Sequence, residues 1–169
     1  MKFLNIVLFS FLSLFKKEQM THLNPGDKAP DFKSVDQDEK PISLKQFEGK
    51  KIVLYFYPAD DTPTCTTEAC NIRDNYKALL DQGYVVLGVS PDSPAKHRKF
   101  IKKYKLPFSL IADEDLSITK AYGVWGLKKL FGNEYNGVLR TTFVIDEHGI
   151  ITEVINKVKA KDHTNQILK

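Results

Sequence analysis

Strand and helix signals alternate along this chain and predict an α/β protein with a central mixed β-sheet flanked by helices. Short β-branched and aromatic runs recur at residues 52–57, 84–90, 108–111, 141–145 and 150–155, and amphipathic stretches separate the earlier ones. The 169 residues are 42% hydrophobic, which supplies one core and too little for two sizeable domains. No internal repeat or low-complexity segment interrupts the pattern.

Residues 1–19 form a hydrophobic leader. Lys2 precedes an apolar stretch over 3–15, about the length of a signal-peptide core and short for a membrane span. No small-x-small cleavage site follows, because Lys16, Lys17, Glu18 and Gln19 come next, and Met20 then opens the remainder of the chain. Three readings stand: an upstream start that is not used, which is favoured, an uncleaved membrane-surface anchor, or an unusual export signal. The favoured one places the protein in the cytoplasm.

The run Ile52-Val53-Leu54-Tyr55-Phe56-Tyr57 reads as a buried strand that Pro58 ends. Thr62 then supplies an N-cap candidate and Pro63 suits the first helical position, so a helix is predicted over 63–80. Ala69, Ile72, Tyr76, Leu79 and Leu80 mark its buried face. Glu68, Arg73, Asp74, Lys77 and Asp81 fall mostly on the other side. Cys65 lies in the first turn, where unpaired N–H groups and the helix dipole favour thiolate over thiol. A free cysteine titrates near ~8.5 and such a position lowers that value, making Cys65 a candidate nucleophile. Its threonine neighbours, Thr62, Thr64, Thr66 and Thr67, argue against an inert core cysteine. Cys70, the only other cysteine, is either a resolving thiol or a buried helix cysteine. Residues five apart on an intact helix have Cα atoms about 9 Å apart, beyond the ~4.4–6.8 Å of a disulfide. A bridge between them therefore needs the first turns to unwind.

Further along, 84–90 is a second buried strand and Ser93-Pro94 starts a basic helix through Tyr104, with Phe100, Ile101 and Tyr104 packing inward. The rest of the run 95–105, His97 and the lysines included, reads as a solvated face rather than a nucleic-acid patch. A strand at 108–111 and a helix near 116–122 follow. The segment 123–139 lacks helix or strand periodicity and is expected to be an ordered loop walling the site. Residues 141–145 and 150–155 flank Asp146-Glu147-His148-Gly149 as a hairpin, and a last helix is placed near 162–168.

Pro58, Thr62 and Cys65 match the Pro-x3-Thr-x2-Cys motif of the peroxiredoxins, and Cys70 falls where the bacterioferritin comigratory, or type Q, subgroup has its resolving cysteine. The resemblance extends through Gly26-Asp27-Lys28-Ala29-Pro30-Asp31-Phe32, Gly123-Val124-Trp125-Gly126 and Leu139-Arg140-Thr141-Thr142-Phe143-Val144-Ile145-Asp146. It covers essentially everything from Met20 onward. Thr64 and Leu127 depart from the usual glycine and glutamate of the subgroup. The resemblance implies a thioredoxin-like domain over 20–169, with Cys65 attacking the peroxide and Cys70 closing an intramolecular disulfide. Thr62 and Arg140 would polarise the O–O bond, and Pro58 would shield the sulfur. It also implies peroxide substrates, a thioredoxin or similar dithiol reductant, no metal or organic cofactor, and a monomer. A thioredoxin-like disulfide oxidoreductase, disfavoured by the missing Cys-x2-Cys, and a peroxide sensor are the alternatives. A net charge of +4 gives no reason to invoke nucleic acid, and two cysteines at this spacing fit redox chemistry in a reducing compartment.

Overall fold

A computed structural model describes residues 19–169, so the reading of 1–19 lies outside the described residues except for Gln19. Along the chain the elements are β1 (Lys33–Asp36), β2 (Pro41–Ser43), β3 (Lys51–Phe56), α1 (Pro63–Asp74), α2 (Tyr76–Asp81), β4 (Tyr84–Ser90) and α3 (Pro94–Tyr104). They continue with β5 (Ser109–Ala112), α4 (Ser117–Ala121), β6 (Trp125–Leu130), β7 (Asn133–Val138), β8 (Thr141–Ile145), β9 (Ile151–Ile155) and α5 (His163–Ile167). Seven strands form one mixed sheet in the order β2-β1-β5-β4-β3-β8-β9. The centre, β5-β4-β3, is parallel, and the flanking pairs are antiparallel.

Side chains alternate across the sheet, so each face carries its own core. Ile52, Leu54 and Phe56 of β3 point to one layer with Ile118 of α4, Tyr122 and Phe143. Val53, Tyr55 and Tyr57 point to the other, against Cys65, Ala69 and Ile72 of α1, Leu79 of α2, Phe100 of α3 and Ile167 of α5. The candidate cysteine therefore sits on the face that most of the helices cover.

The structure departs from the sequence reading at several places. The expected helix 63–80 breaks at Asn75, whose side-chain amide donates back to the Asn71 carbonyl at 2.8 Å. Such a local bond competes with the helical ladder, and the break leaves Leu80 half exposed. Strands β1 and β2 were not foreseen, since their sequences KSVD and PIS hold few apolar residues. The expected loop over 123–139 is instead the hairpin β6–β7, turned by Phe131 and Gly132 with φ of 48° and 80°. A two-residue turn with both φ positive matches strand twist. Its strands show no alternation because much of both faces is open to solvent. Lastly, Glu68 and His97, read as surface groups, are fully buried.

Candidate active site

The site forms where β3 hands over to α1. Asp61 adopts φ 57°, a left-handed conformation, and turns the chain into the helix. Its carboxylate is fixed by Lys103 Nζ at 2.8 Å and the Tyr104 hydroxyl at 2.7 Å, so the basic helix α3 commits part of its charge to an exposed ion pair with this loop. Thr62 is the extended N-cap and Pro63 the first helical residue. No side chain caps this turn, which leaves the Thr64 and Cys65 amides without intrahelical partners, while Thr66 N–H bonds the Thr62 carbonyl at 2.9 Å. The Thr62 hydroxyl donates to the Ala59 carbonyl at 2.9 Å. Its proton is therefore engaged, and its oxygen is left able to accept.

Cys65 is 2% exposed and packs in the apolar layer, contrary to the expectation drawn from its threonine neighbours. Thr64 is exposed and Thr62 and Thr67 are half-buried, whereas Cys65 and the Thr66 hydroxyl are buried. Register explains how a residue far away in sequence reaches it. Phe56 of β3 pairs with Thr141 of β8, so Arg140, one residue earlier, stands beside the end of β3. Arg140 Nη2 donates to Cys65 Sγ at 3.2 Å, and its Nη1 donates to Glu68 Oε2. One planar guanidinium thus holds the sulfur and a carboxylate at once, a geometry a lysine cannot reproduce.

Glu68 lies one turn after Cys65 on the same helix face, a spacing that could have flagged it. Burial pushes its carboxyl up, Arg140 pulls it down by charge and hydrogen bonding, and burial wins, leaving a pKa of about 7. Its Oε1 is buried with no hydrogen-bond partner and sits 3.6 Å from His163 Nε2. His163 Nδ1 faces Gln166 Oε1 at 3.1 Å, so Nδ1 carries the proton and Nε2 accepts from the Thr142 hydroxyl at 2.9 Å. Burial holds this imidazole below its ordinary value, with Arg140 adding to the effect against the Gln166 bond. The Arg140 pKa is raised: burial works against its charge, but Glu68 and Cys65 outweigh it.

A cavity of about 470 Å³ opens beside Arg140, walled by Met20, Leu127, Lys128, Leu139, Thr141 and Asn156 among others. Burial, and then Arg140, lowers the Lys128 pKa; its ammonium donates to the Val138 carbonyl at 3.0 Å. The β6–β7 hairpin therefore walls the cavity beside Arg140. Pro58 sits half-buried between β3 and the turn. Cys70 is partly buried on the same helix, and both thiols are free. Because α1 runs unbroken through both positions, helix geometry keeps their Cα atoms about 9 Å apart. Of the five candidate residues, Cys65 and Arg140 are in contact, Thr62 and Pro58 flank them in one loop, and Cys70 stands apart. Glu68, Lys128 and His163 were missed, and nothing in the sequence pointed to the last two. Among the described residues no cluster of side chains is arranged to hold a metal ion, and no helix there is long and apolar enough to cross a membrane.

A cysteine at a helix start under an arginine, on a thioredoxin-like sheet, defines a thiol-based redox protein, and comparison makes this specific. The AhpC/TSA family model matches residues 25–154, and the chain belongs to that family. Among its relatives, the putative peroxiredoxin bcp of Haemophilus influenzae is 46% identical over 149 residues, 88% of this chain and 96% of that protein. Peroxiredoxin Bcp of Bacillus subtilis is 46% identical over 144 residues, 85% of this chain and 92% of the other. The structure of Xanthomonas campestris peroxiredoxin Q superposes with a TM-score of 0.78 at 30% identity, covering 88% of this chain and 94% of that one. The protein is a peroxiredoxin, a thiol peroxidase among the oxidoreductases.

Proposed function

We propose that Cys65 is the peroxidatic nucleophile and Cys70 its resolving partner in an atypical two-cysteine cycle. The contact of Arg140 Nη2 with Cys65 Sγ at 3.2 Å carries this reading. The thiolate attacks the terminal oxygen of a hydroperoxide, the O–O bond breaks, and the Cys65 sulfenic acid forms as the leaving alkoxide or hydroxide takes up a proton. Arg140 and the free Thr64 and Cys65 amides face the charge that develops during this step. Thr62, its own proton turned to Ala59, accepts the hydrogen of the incoming hydroperoxide and aligns it. Pro58 screens the sulfur from water. The first turns of α1 then unwind, Cys70 condenses with the sulfenic acid to a disulfide, and one water leaves. An external dithiol of the thioredoxin type returns both thiols and is itself oxidised.

Hydrogen peroxide and organic hydroperoxides are the substrates of this cycle. No metal or organic cofactor enters any step. The protein works as a monomer in the reducing cytoplasm. The test is peroxide consumption by the reduced protein with thioredoxin, thioredoxin reductase and NADPH, the oxidised form being mapped by mass spectrometry. Sustained turnover with a Cys65–Cys70 disulfide is expected; oxidation that stalls without recycling would refute the cycle.

A further inference from the structure

One peptide plane in the loop between β3 and α1 is hydrogen-bonded at both of its edges. Asp60 N–H donates to Asp92 Oδ2 at 2.7 Å. The carbonyl of that same peptide, Ala59 C=O, accepts the Thr62 hydroxyl at 2.9 Å. A trans peptide is planar, with N–H and C=O pointing in opposite directions, so fixing one end aims the other. Asp92 is held by the Ser90 hydroxyl at 2.8 Å and by Lys96 Nζ at 3.3 Å.

The Asp60 side chain fastens the plane a second time. Its Oδ1 accepts from the Tyr57 hydroxyl at 2.6 Å, and its Oδ2 lies 2.6 Å from His97 Nδ1. His97 Nε2 is 3.1 Å from the Ile111 carbonyl of β5, an oxygen that only accepts, so Nε2 carries a proton. The His97 side chain is fully buried and that of Asp60 is 5% exposed. A histidine with both nitrogens on oxygens deep beneath a catalytic loop has no role in the chemistry described above.

Resting on the assignment of Cys65 and Thr62, we propose that Asp60, His97 and Asp92 are positioning residues that aim the Thr62 hydroxyl at its task. Helix α3 and the end of β5 act through them as an abutment, and the Ala59–Asp60 peptide passes their placement to Thr62. The requirement is for hydrogen-bond geometry rather than net charge. In Asp60→Asn, the side-chain amide donates to a neutral His97 Nδ1 while Oδ1 still accepts from Tyr57, so every bond is kept.

The experiment measures the second-order rate constant of Cys65 oxidation by hydrogen peroxide, by stopped-flow with the thermal midpoint recorded alongside. Asp60→Asn is expected within about threefold of the unaltered protein, and Asp60→Ala/His97→Leu about 10- to 100-fold slower, the range a small misplacement of a reacting group costs. Adding Thr62→Val to that double variant is expected to bring no further loss, because residues acting through one another are not additive. An unaltered rate in Asp60→Ala/His97→Leu, or losses that multiply with Thr62→Val, would overturn the inference. Should the double variant fail to fold, Asp92→Ala, which frees the Asp60 N–H and leaves the Asp60–His97 pair in place, decides: a loss of about tenfold that Thr62→Val does not deepen supports the inference, and an unaltered rate overturns it. Peroxide oxidation that persists in Cys65→Ser would instead overturn the assignment of Cys65.

Discussion

Replacing Glu68 by glutamine separates the two forces acting on this carboxyl. An unfolded glutamate releases its proton near 4.5 and the folded one near 7. Between those values the folded state holds a proton that the unfolded state has lost, so stability falls as pH rises through the window. At about 1.4 kcal/mol per unit, the shift from 4.5 to about 7 amounts to roughly 3 kcal/mol. Glu68→Gln removes this titration while keeping the shape. The difference in unfolding free energy, variant minus unaltered protein, should therefore climb by about 3 kcal/mol between pH 4.5 and 8, then level off. Urea unfolding of both reduced proteins across that range measures it. His163, lowered by burial, works in the opposite direction by costing stability on the acid side; it is present in both proteins and cancels to first order. A flat difference across the range would mean that Arg140 keeps Glu68 ionised throughout, and would refute the claim that burial prevails.

Other outcomes follow from the same geometry. Cys65→Ser should abolish peroxide consumption, whereas Cys70→Ser should allow one turnover and then depend on the reductant supplied, as single-turnover and coupled assays will separate. Arg140→Lys keeps a charge but loses the fork, so the rate constant of Cys65 oxidation should drop about 10²-fold by stopped-flow. Thr62→Ser should stay within a few-fold of the unaltered rate, and Thr62→Val should lose about 10²-fold. Gly88→Ala would place a Cβ 2.7 Å from Leu110 Cδ2 and 2.9 Å from the Tyr55 ring, an overpacking cost of about 1–3 kcal/mol readable as a lower thermal midpoint.

Much of the fold was legible because buried strands announce themselves. The run 52–57 is apolar on both faces, as a central strand covered by two layers must be. The helix start at Thr62-Pro63 was equally plain, and it located Cys65. Arg140 was out of reach of spacing, since only the β3–β8 register brings it to the sulfur; the resemblance alone supplied it. The burial of Cys65 was misjudged because adjacent residues on a helical turn do not share a face, so threonine neighbours say nothing of its own surroundings. Glu68 and His97 were misread for a shared reason. Charged residues are rarely buried unless paired, and their partners come from the link before β8, from α5 and from the loop before α1, which no local pattern reveals. The β6–β7 hairpin hid because its strands lack one dry face, and because phenylalanine at a left-handed turn position is no ordinary turn signal.

The unbroken run of α1 through Cys65 and Cys70 has a consequence for the order of events. With the helix wound, Cys65 is almost fully enclosed and its sulfur lies against Arg140. A protein dithiol is far too large to compete at that stage. In the cycle proposed above, the first turns then unwind, the two sulfurs meet and emerge together, and the disulfide is offered to a bulky partner after the oxidant has already reacted. On that proposal, winding and unwinding one helix would admit oxidant and reductant in alternation, as the two doors of an airlock do, and would keep the protein's reducing power from being drained by stray disulfides before any peroxide arrives.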